Sequence, residues 1–183
     1  MIIARTPLRI SFAGGGSDLP SFYRHEQGAV LSTSIDKYVY IAIHEYFHRN
    51  QTLLKYSKTE LVKSYDEIQH PLFRECLSMM DISGVDISSM ADVPAGTGLG
   101  SSSTFTVCLM NALHAYKNQY VSPEYLASTA CDIEITRLGD PIGKQDQYAA
   151  AYGGLNFITF NKDESVSVEK IIMDPNAKKQ LDE

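Results

Sequence analysis

The sequence predicts an α/β domain of the α+β kind, with sheet-forming segments first and helices through its middle. Three observations predict it. Residues 38–44, Tyr-Val-Tyr-Ile-Ala-Ile-His, alternate with a period of two and are rich in β-branched and aromatic side chains. Residues 102–116 carry apolar side chains at helical spacing. Glycine and proline clusters punctuate the segments between.

Taken in order, residues 2–5 and 8–12 read as short extended runs flanking Pro7, and Gly14-Gly-Gly-Ser-Asp18 then breaks the chain. Residues 28–34 and 38–44 read as two strands, 52–56 as a further strand, 72–80 as a helix and 85–90 as a weak strand. A glycine-rich loop, Pro94-Ala-Gly-Thr-Gly-Leu-Gly-Ser-Ser-Ser103, feeds the helix over 102–116. Ser122-Pro123-Glu124 is a helix start, with Ser122 as cap and Pro123 in the first turn. That helix is expected to run to about residue 138, where Gly139-Asp-Pro141 stops it. Residues 144–151 read as another helix ended by Gly153-Gly154, and 155–160 with 166–172 as a hairpin pair. Residues 174–183 read either as the start of a helix or as a polar tail.

Composition narrows the function classes. At 183 residues the chain can bury a sizeable core as one domain. A formal charge of −6 argues against a nucleic-acid surface. No apolar run approaches the roughly 18 residues of a membrane span, and the N-terminus has no signal-peptide pattern. Cys76, Cys108 and Cys131 lack metal or close-pair spacing and sit in apolar stretches. They read as buried thiols in a reducing compartment, so a cytoplasmic location is expected.

The glycine loop is the strongest chemical signal. Three glycines in five residues let N–H groups curl inward, and the helix start adds unpaired N–H groups and the positive end of a dipole. The reading is a polyphosphate cradle, with a serine-capped tight turn as the alternative. It is not a Walker A loop, because no Gly-Lys-Ser/Thr follows, and it lacks the third glycine of a dinucleotide fingerprint.

Phosphoryl transfer also needs metal ligands, a group near the acceptor hydroxyl and positive charge. Ser102 in the first helical turn and Glu134 offer hard oxygen ligands for Mg²⁺, although Glu134 would also suit a surface pair with Arg137. Asp146, in Gly143-Lys-Gln-Asp-Gln147, suits contact with a substrate hydroxyl, with Lys144 nearby; a solvated helix start is the alternative. Asp18 suits sugar hydroxyls or the cap of a short helix over 19–23. Arg9 in an apolar strand needs a partner such as Asp146.

His44-Glu-Tyr-Phe-His48 matches the H-E-x-x-H zinc pattern, which works only on a helix. Here it follows strand-like alternation. Residues four apart on a strand stand roughly 13 Å apart, too far to share one metal.

Three motifs in this order resemble the GHMP kinase family: Pro7-Leu-Arg-Ile-Ser-Phe-Ala-Gly-Gly-Gly-Ser-Asp-Leu-Pro20, residues 94–103, and Gly143-Lys-Gln-Asp-Gln-Tyr-Ala-Ala-Ala-Tyr-Gly-Gly154. The resemblance implies an N-terminal domain with a ribosomal-protein-S5-like fold, a mixed sheet packed against helices. It implies ATP binding by Pro94, Gly96, Gly98, Leu99, Gly100, Ser101, Ser102 and Ser103. Mg²⁺ would be held by Ser102 and Glu134, catalysis would fall to Asp146 with Arg9, and substrate contact to Asp18 with Gly16 and Ser17. The spelling is similar to the branch that phosphorylates the anomeric hydroxyl of D-glycero-D-manno-heptose 7-phosphate for GDP-heptose synthesis, with L-fucokinase or another anomeric sugar kinase of the family, or a non-catalytic nucleotide-binding fragment, as the alternatives. The expected partners are a sugar phosphate and ATP, with a homodimer left open and neither nucleic acid nor membrane expected. Family members run to roughly twice this length. Residues 1–183 are therefore expected to be the N-terminal ATP-binding domain of a truncated form, without the C-terminal domain.

Overall fold

The computed structural model describes residues 1–94 and 96–182; Ala95 of the glycine loop and Glu183 of the tail lie outside the described residues. Its sheet is built around one long strand. β1 (Ile2–Ala13) is followed by a one-turn helix, α1 (Pro20–Tyr23), and then by β2 (Gly28–Glu45). β1 runs antiparallel along one edge of β2.

Both strands are longer than the sequence reading expected. Pro7 lies inside β1, where a register shift falls between Pro7 and Arg9. β1 pairs on one side only, so the missing N–H of proline is tolerated there. β2 continues through Ser34-Ile35-Asp36-Lys37, where Asp36 and Lys37 are exposed, because no glycine or proline breaks the run.

The other edge of β2 is shared. β3 (Thr52–Lys55) and β4 (Thr59–Val62) form a hairpin, and β3 pairs in parallel with β5 (Val85–Ala91). β5 pairs with residues 39–45 of β2. β6 (Leu155–Phe160) pairs with residues 28–33, and β7 (Val166–Lys170) pairs with β6. β4 carries no strand signal in the sequence, because Thr-Glu-Leu-Val is too short to show a period.

Helices cover the face of the sheet to which Val30, Val39, Ile41 and Ile43 point; each of these is buried. They are α2 (Pro71–Met80), α3 (Ser101–Tyr116), α4 (Pro123–Cys131) and α5 (Gln145–Tyr152). α3 lies against β1 and β2 and touches α2, α4 and α5, so residues such as Cys108, Leu109, Met110 and Leu113 are fully enclosed. Ser122 caps α4 as expected, accepting from the Tyr125 N–H at 3.1 Å. The three cysteines are free and buried, and burial pushes each thiol pKa up. α6 (Pro175–Asp182) ends the described chain, and Asp174 Oδ1 accepts from the N–H groups of Asn176 and Ala177.

The helix expected to reach residue 138 changes character at Asp132. Residues Asp132–Arg137 form a π-helical turn, closed by the Leu138 N–H donating to Ile133 O. Such a turn widens the helix by one residue and re-aims its side chains. Glu134 lies within it.

Candidate active site

The glycine loop enters α3 through three left-handed glycines, Gly96, Gly98 and Gly100, with φ of 82°, 75° and 74°. A side chain at these φ values is strained, which accounts for the alternating glycines. Gly100 occupies the cap position of α3 and no side chain caps the helix, so its first-turn N–H groups are left for another acceptor. Three of those groups belong to Ser101, Ser102 and Ser103.

Arg9 joins this loop to Asp146. Its main-chain N–H donates to Leu99 O at 3.3 Å, and its Nη1 donates to Gly98 O at 2.9 Å. Its Nε donates to Asp146 Oδ1 at 2.7 Å, and Nη2 makes a second bond to the same oxygen. The Asp146 carboxylate also lies against Gly100, where an added Cβ would stand 3.0 Å from Oδ2. Burial pushes the Asp146 pKa up, Arg9 pulls it back, and Asp18 raises it further; the net direction is upward. The sequence-predicted pair is therefore formed, and it sits directly beside the loop.

Lys144 does not share this environment. Its ammonium donates to Glu164 Oε2 at 2.8 Å and lies over the Tyr23 ring. Its charge is committed on the far side of the α5 start, because consecutive residues entering a helix point in different directions.

Glu134 is fully buried, which removes the alternative of a surface pair: Arg137 pairs instead with Asp132 at 2.8 Å. Ser103 Oγ donates to Glu134 Oε2 at 2.7 Å, Thr106 Oγ1 donates to Oε1, and Gln147 Nε2 donates to Oε2. Burial raises the Glu134 pKa against the lowering effect of these three donors. Among the described residues its hydrogen-bond partners are all neutral, so a buried carboxylate stands without a compensating cation. The serine bonded to it is Ser103. Ser102 instead lines a cavity of about 470 Å³ beside the loop, walled by Tyr56, His70, Met90 and Phe105.

Asp18 is 2% exposed and serves the start of α5. Its Oδ2 accepts from the Gln145 N–H at 3.1 Å, and its Oδ1 accepts from Gln145 Nε2 at 3.1 Å and from the Gly16 N–H at 3.2 Å. It does not cap α1, which has Leu19 at that position and no side-chain cap. Ser17 staples the same loop to β2: its Oγ lies within hydrogen-bond reach of Ala29 O and accepts from the Ala29 N–H. A shallower cleft of about 320 Å³ lies between Arg9, Ser11, Gly15, Gly98 and Gln145. A larger one of about 680 Å³, near Ser34, Tyr38 and Lys170, holds none of the sequence-predicted site residues.

Sequence reasoning missed Gln145 and Gln147, which hold Asp18 and Glu134 respectively. Their signal was their place on either side of Asp146. It also missed Thr106 and Glu164, which nothing local distinguishes from ordinary helix and turn residues.

His44 lies in β2, as the alternation predicts, and its Nε2 is 3.7 Å from Asp86 Oδ2. Among the described residues, no group of three His, Cys, Asp or Glu side chains is placed to hold a metal ion. No described helix is long and apolar enough to cross a membrane.

The family model of the GHMP kinases N terminal domain matches residues 60–154. The D-glycero-alpha-D-manno-heptose 7-phosphate kinase of Campylobacter jejuni is 30% identical over 93% of this chain and 54% of its own length. The galactokinase of Pyrococcus furiosus is 25% identical over 93% of this chain and 49% of its own. Among solved structures, a D-glycero-D-manno-heptose 1-phosphate kinase from Bacteroides thetaiotaomicron superposes with a TM-score of 0.87 at 28% identity, over 95% of this chain and 61% of that one. The chain spans about half the length of the curated relatives it matches.

Proposed function

The chain belongs to the GHMP kinase family, and from that premise we propose that it is the N-terminal, nucleotide-binding part of an ATP-dependent sugar kinase. The proposed acceptor is the anomeric hydroxyl of D-glycero-D-manno-heptose 7-phosphate. The kinship with heptose phosphate kinases supports the acceptor class. The observation that carries the reading is the Arg9 bridge, which ties the Asp146 carboxylate to the Gly98 and Leu99 carbonyls of the glycine loop.

The geometry supports the following division of labour. The uncapped N–H groups of Ser101 to Ser103 and the positive end of α3 hold phosphate oxygens. The cavity beside them, with Tyr56, His70 and Phe105 in its wall, takes the base. Asp146 orients the acceptor hydroxyl and receives or stabilises its proton, and Arg9 fixes which carboxylate oxygen is left to do so. Glu134, a hard carboxylate buried without a compensating cation, suits Mg²⁺, and Ser102, which lines the neighbouring cavity and is not bonded to Glu134, is the proposed second oxygen ligand. When bound, the ion supplies positive charge to the phosphates. The cleft between Arg9, Ser11, Gly15 and Gln145 receives the sugar.

A coupled ADP-release assay of the full-length form with heptose 7-phosphate, L-fucose and D-galactose tests the assignment. The expected result is turnover with the heptose phosphate at least tenfold above the other two. Comparable or faster turnover of fucose would sink the heptose assignment and leave the kinase reading standing. Asp146→Asn should lower turnover by about 10³-fold or more while ATP binding changes only a few-fold. Near-normal turnover in that variant would remove Asp146 from the site.

A further inference from the structure

Four consecutive residues at the start of α5 are each anchored to a different part of the fold. Lys144 is bound to Glu164 in the β6–β7 turn. Gln145 is bound to Asp18 in the triple-glycine loop and to Ser11 of β1. Asp146 is bound to Arg9, and Gln147 to Glu134. Three of these anchors lie within the proposed site. The first lies outside it, on a hairpin turn that no motif covers.

Glu164 is the hub of that outer anchor. Its Oε2 accepts from Lys144 Nζ at 2.8 Å and from the Tyr23 hydroxyl at 2.5 Å, and its Oε1 accepts from Arg24 Nε at 2.8 Å. Its main-chain carbonyl accepts a further bond from Lys144 Nζ at 3.1 Å. The Lys144 ammonium also stands 4.8 Å from the centroid of the Tyr23 ring. Gln27 donates to Asn161 at the base of the same turn, 2.7 Å away. α1, the β6–β7 turn and the α5 start are thus tied at one carboxylate.

The backbone at Glu164 is costly to hold. Its φ of 72° lies in the left-handed region, where a non-glycine residue is strained, and a glycine would be the residue of least cost. Strain kept at a position whose side chain makes three charged or hydroxyl contacts points to a task for that side chain. Removing the side chain therefore removes a clamp and relieves the backbone at once.

We propose that Glu164 is a positioning residue for Asp146, acting through Lys144 to hold the first turn of α5 against the glycine loop. This rests on the reading of Asp146 as the acceptor-contacting carboxylate. Glu164 touches neither the loop nor Asp146 itself, so its effect is on the placement of the α5 start and not on nucleotide contact. Loss of the clamp lets the first turn of α5 move while the cradle is unchanged. The rate constant should then fall while the nucleotide KM holds.

The test uses Glu164→Gly, which deletes the side chain and relaxes the backbone, and Glu164→Gln, which keeps acceptor oxygen and length. Hydrogen exchange of the peptide spanning residues 143–150 is read beside turnover. Glu164→Gly should speed exchange in that peptide at least fivefold and lower kcat three- to tenfold. The KM for ATP should stay within twofold and the Tm within a few degrees of the parent, while Glu164→Gln recovers most of the rate. Unchanged exchange at 143–150 overturns the proposal. Faster exchange throughout the molecule with a large fall in Tm also overturns it, by making the clamp a general stabiliser. If this half-length chain turns over no sugar, turnover is read on the full-length form, and the exchange measurement alone decides whether Glu164 holds the α5 start.

Discussion

Replacing Gly143 by alanine tests the join between the triple-glycine loop and α5. A Cβ at this position would stand 1.9 Å from Asp18 Oδ2 and 2.3 Å from Asp18 Cγ, whereas ordinary contact begins at 3.4 Å, so the carboxylate must retreat by at least about 1.5 Å. The backbone is not the obstacle, because Gly143 is not among the positive-φ glycines. The retreat breaks the bonds that Asp18 accepts from the Gln145 N–H and Gln145 Nε2, both 3.1 Å, and leaves a buried charge poorly partnered. Bonds to a charged group contribute about 1.5–3 kcal/mol each, and taking the lower figure for both gives a cost of about 3 kcal/mol. For a chain of this size that lowers Tm by about 6–12 °C. Urea or thermal unfolding of Gly143→Ala, Asp18→Ala and the double variant measures it. In the Asp18→Ala background the three atoms nearest the Cβ are gone, so Gly143→Ala should there cost less than about 0.5 kcal/mol. The reasoning is refuted if Gly143→Ala stays within about 0.5 kcal/mol of the parent, or if its cost is the same in both backgrounds.

Glu134→Gln should weaken the Mg²⁺ dependence of nucleotide binding, read by titrating the metal at fixed ATP. The same variant carries a pH signature: the Glu134 pKa is raised on folding, so its contribution is fully present below the unfolded value of about 4.3 and is lost as pH rises through the folded value. Glu134→Gln should therefore match or exceed the parent in stability at pH 7, with a flatter stability slope from pH 4 to 7 in urea melts. The acid limb of kcat should lie above the ordinary aspartate range, since the Asp146 pKa is raised and the ionised form is needed; a limb at or below about pH 4 in a pH–rate profile contradicts this. Gly98→Ala meets nothing within 4 Å but must hold a φ of 75°, so it should cost about 1–2 kcal/mol in unfolding and weaken ATP binding several-fold by calorimetry.

Much of the fold and site was legible because it rests on local patterns. The alternation of 38–44, the helical spacing after the glycine loop and the Ser122-Pro123 start all matched elements of the structure. Where the reading fell short, the reason was tertiary. The sheet edge tolerates Pro7 within a single strand, and β4 is held by its pairing with β3 and not by its own sequence. The π-helical turn at Asp132–Arg137 is invisible to a helical period, yet it carries the buried Glu134.

The sequence by itself determined the order of the three motifs, the uncapped glycine-rich entry to α3 and the carboxylates available to a site, because each depends on residues close together in the chain. Tertiary structure alone decided their partners. Asp18 meets Gln145 across 127 positions of sequence, Lys144 turns to Glu164 and away from Asp146, and the serine that reaches Glu134 is Ser103, with Ser102 left to the cavity. A carboxylate's partner is set by which donors packing brings within about 3 Å, and that distance is fixed by the sheet and helices that carry them, not by spacing along the chain.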